Sequence, residues 1–292
     1  MNVIKKYLKK IFPVQLTNGI KKIRYPNSYY PPIKKSHWKT IHYKGFTYEI
    51  FLDKEFGIIS NIIEKDGIYE PEILDFISER INQEGVFLDI GANIGQHSIV
   101  ISRFCKKVFS FEPISILQNK ILQNIAKNNI QNIELNKFGL GNESTESEMI
   151  ILKNNIGKSK PKHRNENEFE NLKNNWAKEK GNILETEKIE LKRLDDLNFE
   201  QVNFIKIDVE GYELFVLEGG KNTILRTKPK IILEYSPVFY ESMEKGMSER
   251  LYNFIIQELN YTINIIEKDK LTKVNSFSDL PFSQWNIYLE AK

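Results

Sequence analysis

Cysteine is nearly absent from this chain: Cys105 is the single one in 292 residues. That excludes an internal disulfide and any cysteine-rich metal centre. Cys105 sits in an apolar run at helical spacing, where a small buried thiol is expected. An excess of one charge is missing as well. The chain carries 42 Lys and Arg against 39 Asp and Glu, a net charge of +3, too little for a nucleic-acid surface built on basic charge. No apolar stretch approaches the ~20 residues that cross a bilayer, and no signal-peptide core with a small-residue cleavage site appears. These absences predict a cytoplasmic protein. No internal repeat is visible. What is there is a globular composition, 40% hydrophobic and 28% charged, suited to one large domain with extensions.

The most informative segment is Val86–Gly95, Val-Phe-Leu-Asp-Ile-Gly-Ala-Asn-Ile-Gly. A short apolar run ends in Asp89, a glycine turn follows, and Gln96–Phe104 then has apolar residues at a helical period. This predicts a buried parallel strand feeding a tight turn into a helix. Gly91 lets the turn close, and Gly95 lets the helix start approach a ligand. Such turns at the carboxyl edge of an open α/β sheet bind nucleotide-like ligands. A pyrophosphate cradle needs G-x-G-x-x-G, but Asn93 stands where the middle glycine belongs. S-adenosylmethionine carries no phosphate and needs less of that cradle. The next strand, Lys107–Phe111, ends in Glu112-Pro113, which places Glu112 to accept hydrogen bonds from both ribose hydroxyls. NAD sites share such an acid, so the glycine spacing is the discriminating feature.

A third element, Asn203–Gly211, reads Asn-Phe-Ile-Lys-Ile-Asp-Val-Glu-Gly, another buried strand running into a glycine turn and a helix. With Asp89–Gly95, Phe111-Glu-Pro113 and Arg193-Leu-Asp-Asp-Leu197, it resembles the FkbM-type methyltransferases, and the motifs stand in that family's order from about Phe87 to Pro237. The resemblance implies a class I, Rossmann-like α/β fold with a seven-stranded, mostly parallel sheet, an antiparallel last strand and helices on both faces. It also implies S-adenosylmethionine as cofactor and O-methylation of a sugar or another small hydroxylated compound. The Asn/Asp-Pro-Pro-aromatic segment of amino-methylases is missing after this strand, which reads Asp208-Val-Glu-Gly211. A hydroxyl acceptor, on a small molecule or glycan precursor, is therefore expected, with no nucleic-acid partner.

Three regions are expected along the chain. Residues 1–35 are a basic amphipathic segment and linker, in which Val3, Ile4, Tyr7, Leu8, Ile11 and Phe12 alternate with four lysines. Residues 1–12 either pack on the domain or touch the inner face of an anionic membrane. Residues 36–84 are a lead-in of short alternating strands over Trp38–Ile63, a Lys44-Gly45 turn, and a helix over Pro71–Gln83. Residues 85–292 are the methyltransferase domain. Strands separated by helices require parallel pairing, and Met149–Leu152 is read as one more strand of that series. A run rich in Lys, Asn and Glu, residues 153–185, is expected as an inserted loop, with His163, Arg164 and Trp176 making a substrate-covering role conceivable.

Methyl transfer to an alcohol needs a nucleophile held in line and a group to take its proton. Asp208 and Glu210 are the catalytic candidates, because alternate residues of a strand face one side; Asp208 as N-cap of the following helix is the competing reading. Asp89, Gly91 and Ala92 are assigned to the methionine end of the cofactor, with Asp89 bonding the turn's own amides as the alternative. Asn93 is assigned to the cofactor carboxylate, and His97 to packing or a cofactor contact. Gly95, Glu112 and Pro113 complete the cofactor set. No resident metal is expected, although Asp208, Glu210 and Glu234 together leave a magnesium reading open. An NAD-dependent oxidoreductase and a non-catalytic cofactor-binding domain are the rival functions.

Overall fold

The structure is a computed structural model and describes residues 30–54, 57–152, 159–161, 184–267 and 270–292. The amphipathic segment 1–12 lies outside the described residues, as do His163, Arg164 and Trp176. Strands β1 (His37–Tyr43) and β2 (Phe46–Leu52) pair antiparallel around Lys44 and Gly45. Both turn residues take positive φ, the conformation of a two-residue hairpin turn. The alternating reading of the lead-in fails after β2. Ile58–Asp66 is a helix, α1, ended by Gly67 in the left-handed region. Helix α2 starts at Pro71 as expected but stops at Ser78, before Gln83.

The domain that follows alternates strands and helices. In chain order these are β3 (Val86–Ile90), α3 (Gln96–Ile101), β4 (Lys107–Phe111), α4 (Ser115–Lys127), β5 (Ile133–Asn136), β6 (Gly139–Leu140), β7 (Thr145–Leu152), β8 (Lys160–Pro161) and β9 (Leu184–Lys192). Then come β10 (Phe204–Ile207), α5 (Glu213–Gly219), α6 (Lys221–Thr227), β11 (Lys230–Tyr235), α7 (Pro237–Met243), α8 (Met247–Asn253), β12 (Tyr261–Glu267), β13 (Lys270–Val274) and β14 (Trp285–Ala291). The main sheet has the order β13-β12-β14-β11-β10-β3-β4-β5. Strands β11, β10, β3, β4 and β5 run parallel, and β14 is antiparallel to both its neighbours. The expected seven strands are present, and β13 adds an eighth at the edge as a hairpin with β12.

The central strands are apolar on both faces because both faces are covered. Phe87, Phe204 and Ile232 enter the core under the hairpin, α3 and α4. Their neighbours Leu88, Ile205, Ile231 and Leu233 enter the core under α5, α6 and α8. Asn124 on α4 is fully buried; it accepts from the Phe51 amide at 2.9 Å and donates to Ile94 O at 2.8 Å. It thereby ties the hairpin to the glycine turn.

A second sheet, ordered β6-β9-β7-β8, stands apart from the first. It corrects two expectations. Met149–Leu152 belongs to β7 in this sheet and not to the alternating series. The inserted loop is also shorter than 153–185, since Lys160–Pro161 pairs with β7 and β9 begins at Leu184. Strand β9 was hidden by its charged outward side: Ile189 and Leu191 are buried, while Glu185, Lys188 and Glu190 are exposed.

The Arg193–Leu197 motif forms a single turn of 3-10 helix, Leu194–Leu197. Asp195 accepts from the amides of Asn222 at 3.2 Å and Thr223 at 2.8 Å, capping α6 from a distant segment. Asp195→Ala should therefore lower stability by about 1 kcal/mol, the usual size of a lost helix cap, read as a lower urea midpoint. Gly91→Ala should destabilise by about 3 kcal/mol, because at φ 82° its Cβ would fall 2.0 Å from Asp208 O. An unchanged midpoint for either variant contradicts the contact assigned to it.

Candidate active site

The turn after β3 is built from three positive φ values, at Gly91, Asn93 and Gly95. The amides of Gly91 and Ala92 donate to Phe111 O at 3.0 and 3.1 Å. They are thus satisfied by β4, and the alternative in which Asp89 bonds them does not occur. Asp89 instead accepts the Ser98 hydroxyl, which lies 2.7 Å from Ser110 Oγ. Its Oδ1 is buried without a hydrogen-bond partner. Burial raises the Asp89 carboxyl above its ordinary range, opposed by the Lys206 charge.

At the end of β4, Glu112 is held by two backbone donors: the Asn93 amide to Oε2 at 2.9 Å and the Ile114 amide to Oε1 at 3.0 Å. Each oxygen keeps a second acceptor position. Burial pushes this carboxyl up to about 8, against the two amides. Glu112 lines a pocket that is open to solvent on one side. One wall is Gly91, Asn93, Phe111, Pro113, Ile114 and Leu117, and the far end is Asp208, Val209, Glu210 and Tyr212. The opposite wall comes from the second sheet and its flank, through Gly139, Leu140, Met149, Ser159 and Leu191. Sequence reasoning missed that wall. The buried alternation of Ile189 and Leu191 was the signal that could have revealed it.

The structure therefore brings Gly91, Asn93, Glu112, Pro113, Asp208 and Glu210 to one cavity. Asp89, Ala92, Gly95 and His97 lie behind the lining. His97 is buried, with Nε2 3.7 Å from Glu70 Oε2 and its ring edge-on to Tyr69. Burial, reinforced by the Lys206 charge, lowers its pKa well below the usual value and keeps the imidazole neutral.

Strand β10 ends at Ile207, so Asp208 and Glu210 do not share a strand face. Glu210 has φ 53° and Gly211 has φ 102°, turning the chain toward α5. Asp208 does not cap α5, which has no side-chain cap; Glu213 Oε1 accepts from the amides of Val209 at 3.1 Å and Gly211 at 3.2 Å and so ties the preceding turn to the helix. Asp208 Oδ2 instead accepts Lys206 Nζ at 2.9 Å. Lys206 is 3% exposed. Burial pulls its pKa down, but the carboxylates of Asp208, Asp89 and Glu70 outweigh that and leave it raised. A lysine inside the apolar run Phe-Ile-Lys-Ile was a visible anomaly that sequence reasoning passed over. Glu234, at the end of β11, is buried and accepts the Gln284 amide. Among the described residues no group of three or more His, Cys, Asp or Glu side chains is arranged to hold a metal.

The arrangement offers a doubly anchored carboxylate suited to a vicinal diol, a slot between two sheets for a flat group, and carboxylates at the far end. Comparison with known proteins places the chain among methyltransferases. The profile of the methyltransferase FkbM domain matches residues 89–263. Methyltransferase 1 of Beauveria bassiana is 26% identical over 186 residues, 59% of this chain and 74% of that protein. Hexuronic acid methyltransferase AglP of Haloferax volcanii is 25% identical over 195 residues, 65% of this chain and 73% of its own length. The crystal structure of an FkbM methyltransferase from Methylobacillus flagellatus superimposes with a TM-score of 0.45 at 18% identity, over 72% of this chain and 44% of that one. With the profile spanning more than half its length, and Gly91, Glu112 and Asp208 all inside the match, the chain belongs to the FkbM methyltransferase family.

Proposed function

We propose that the protein transfers a methyl group from S-adenosylmethionine to a hydroxyl of a sugar or glycan precursor. The observation that carries the cofactor is Glu112, fixed by the Asn93 and Ile114 amides with acceptor positions left toward the cavity. Two ribose hydroxyls fit that carboxylate. The turn lacks the middle glycine of a pyrophosphate cradle, which favours a cofactor without phosphate. The adenine would lie between Leu117 and Pro113 on one side and Met149 and Leu191 on the other. When bound, S-adenosylmethionine supplies an electrophilic methyl on a positively charged sulfur.

The work of the chain itself is to bind, orient and deprotonate. Lys206 holds the Asp208 carboxylate at the far end of the cavity, where it takes the proton of the acceptor hydroxyl as the new C–O bond forms. The second sheet covers the slot and excludes water, which would otherwise compete as acceptor. AglP is a hexuronic acid methyltransferase by name, and that relative supports a sugar acceptor. Among the described residues no helix is long and apolar enough to cross a membrane.

Two outcomes test this reading. Nucleoside affinity should rise as pH goes from 6 to 8, by up to about tenfold per unit. The neutral Glu112 present below about 8 must lose its proton to accept both hydroxyls, so binding releases a proton. Glu112→Gln should abolish that slope. Calorimetry with S-adenosylmethionine, S-adenosylhomocysteine and NAD reads it directly; tighter binding of NAD overturns the cofactor assignment. Separately, Asp208→Asn should cut methylation of a sugar acceptor by about 10²–10⁴-fold while cofactor affinity stays within about threefold. Retained turnover with lost cofactor affinity would make Asp208 a cofactor ligand instead.

A further inference from the structure

The turn after β10 carries a glutamate that neither the cofactor nor the proton transfer uses. Glu210 lines the cavity with Asp208 and Tyr212, at the end away from Glu112. Its backbone lies in the left-handed region at φ 53°, where the Cβ of a glutamate crowds the following carbonyl and glycine or asparagine fits at lower cost. Of the residues other than glycine with positive φ, Asn93 and Glu210 line the cavity. Asparagine suits that conformation; glutamate does not. The turn is held in this shape from behind. Glu213, fully buried at the start of α5, accepts at Oε1 from the amides of Val209 at 3.1 Å and Gly211 at 3.2 Å, the two residues that flank Glu210. Gly211 continues the bend at φ 102°, and a Cβ there would come within 3.1 Å of Met243 Sδ and 3.3 Å of Phe239 Cβ on α7. The surroundings thus impose on Glu210 a backbone conformation that it would not choose, the pattern in which strain is kept for function.

We propose that Glu210 is an acceptor-binding residue and that Glu213 is the residue that positions it. The Glu210 carboxylate accepts from a hydroxyl of the acceptor other than the one that is methylated. The proposal rests on the methyltransferase reading above. Glu112 stands at the ribose end, and Asp208 is engaged by Lys206 Nζ at 2.9 Å, which leaves Glu210 as the remaining carboxylate lining the acceptor end. Tyr212 lines the cavity beside it, its ring 4.5 Å from that of Phe215. An aromatic face with a few placed acceptors is how a pocket orients a ring that has apolar faces and a hydroxylated edge. A hydrogen bond to a carboxylate is stronger than one between neutral groups, so this contact can set which hydroxyl of a polyol reaches Asp208. Were the residue there for stability, glycine would serve better at that φ.

Four variants of the full chain test the assignment. Glu210→Gly releases the left-handed strain and should raise the urea midpoint, whereas loss of a structural glutamate would lower it. Glu210→Gln keeps the strain and removes the charge. For both, calorimetry should give S-adenosylhomocysteine affinity within about threefold of the wild type, which also shows that the site is folded. Methyl transfer from S-adenosylmethionine to methyl glucoside, methyl galactoside and methyl mannoside is then followed as S-adenosylhomocysteine released. KM for the glycoside that is accepted should rise about tenfold or more in both variants, with a smaller loss of kcat than Asp208→Asn causes. Glu213→Ala should raise the same KM, and Glu213→Gln, which keeps an accepting oxygen for the two amides, should restore it. A midpoint that does not rise in Glu210→Gly, an unchanged KM in Glu210→Gln, or lost S-adenosylhomocysteine affinity in Glu210→Gln overturns the assignment, the last by making Glu210 a cofactor ligand. Failure of Glu213→Gln to restore KM overturns the positioning role. If the wild type methylates none of the three glycosides, the sugar reading falls. A raised midpoint in Glu210→Gly with unchanged S-adenosylhomocysteine affinity then still supports Glu210 as a residue held for the acceptor, and a lowered midpoint overturns it.

Discussion

The site depends on one buried ammonium. Lys206 occupies the middle of the central strand with 3% of its surface exposed, directly across the ladder from Asp89 and bound to Asp208. Desolvating a lysine there would be prohibitive without those carboxylates, and desolvating the carboxylates would be prohibitive without the lysine. Each therefore fixes the others. Asp208 is held at the mouth of β10 because its partner cannot leave the sheet, and Asp89 is held under the glycine turn by the same field together with Ser98. A well-packed apolar core of similar volume would be at least as stable.

Around that centre the backbone does the aiming. The chain leaves β3 toward β4 and β5 on one side, while β10 and β11 lie on the other. Loops therefore diverge at the carboxyl ends of β3 and β10 and leave a crevice. Gly91 packs so closely on the Asp208 carbonyl that no side chain fits between, which brings the glycine turn after β3 and the acid-bearing turn after β10 into one cavity. Glu112 then closes one end through two backbone amides. The second sheet lines the opposite side through Leu140, Met149 and Leu191.

Much of this was legible in the chain. The runs at Val86, Lys107 and Asn203 are apolar without alternation, so they announced strands buried on both faces, and the motif after each placed Gly91, Glu112 and Asp208 at one sheet edge. Less legible were elements whose pattern has a competing explanation. Strand β9 alternates Ile and Leu with Glu and Lys, and amid a long charged stretch it read as loop. Helix α1 follows a hairpin of similar residues and was absorbed into it. Lys206 was visible as a charge in an apolar run, but nothing local to it names Asp89, which comes from a strand far earlier in sequence.

What the sequence determined by itself was the period and content of each segment: buried strands, glycine turns with left-handed residues, and an acid after each strand. These are local, because hydrophobic spacing and φ preference act over a few residues. Only the tertiary structure decided which of those acids share a site. Pairing of β10 with β3 sets Asp89 across from Lys206, whose other partner, Asp208, stands two residues further along the chain. Antiparallel β14 sets Gln284 and Asn286 against Glu234 and Glu70. Packing moved His97 and Asp89 behind the cavity wall and brought Met149 and Leu191 into it. Charge and solvent exclusion act through space across segments distant in sequence, so the role of an acid follows from its neighbours in the fold.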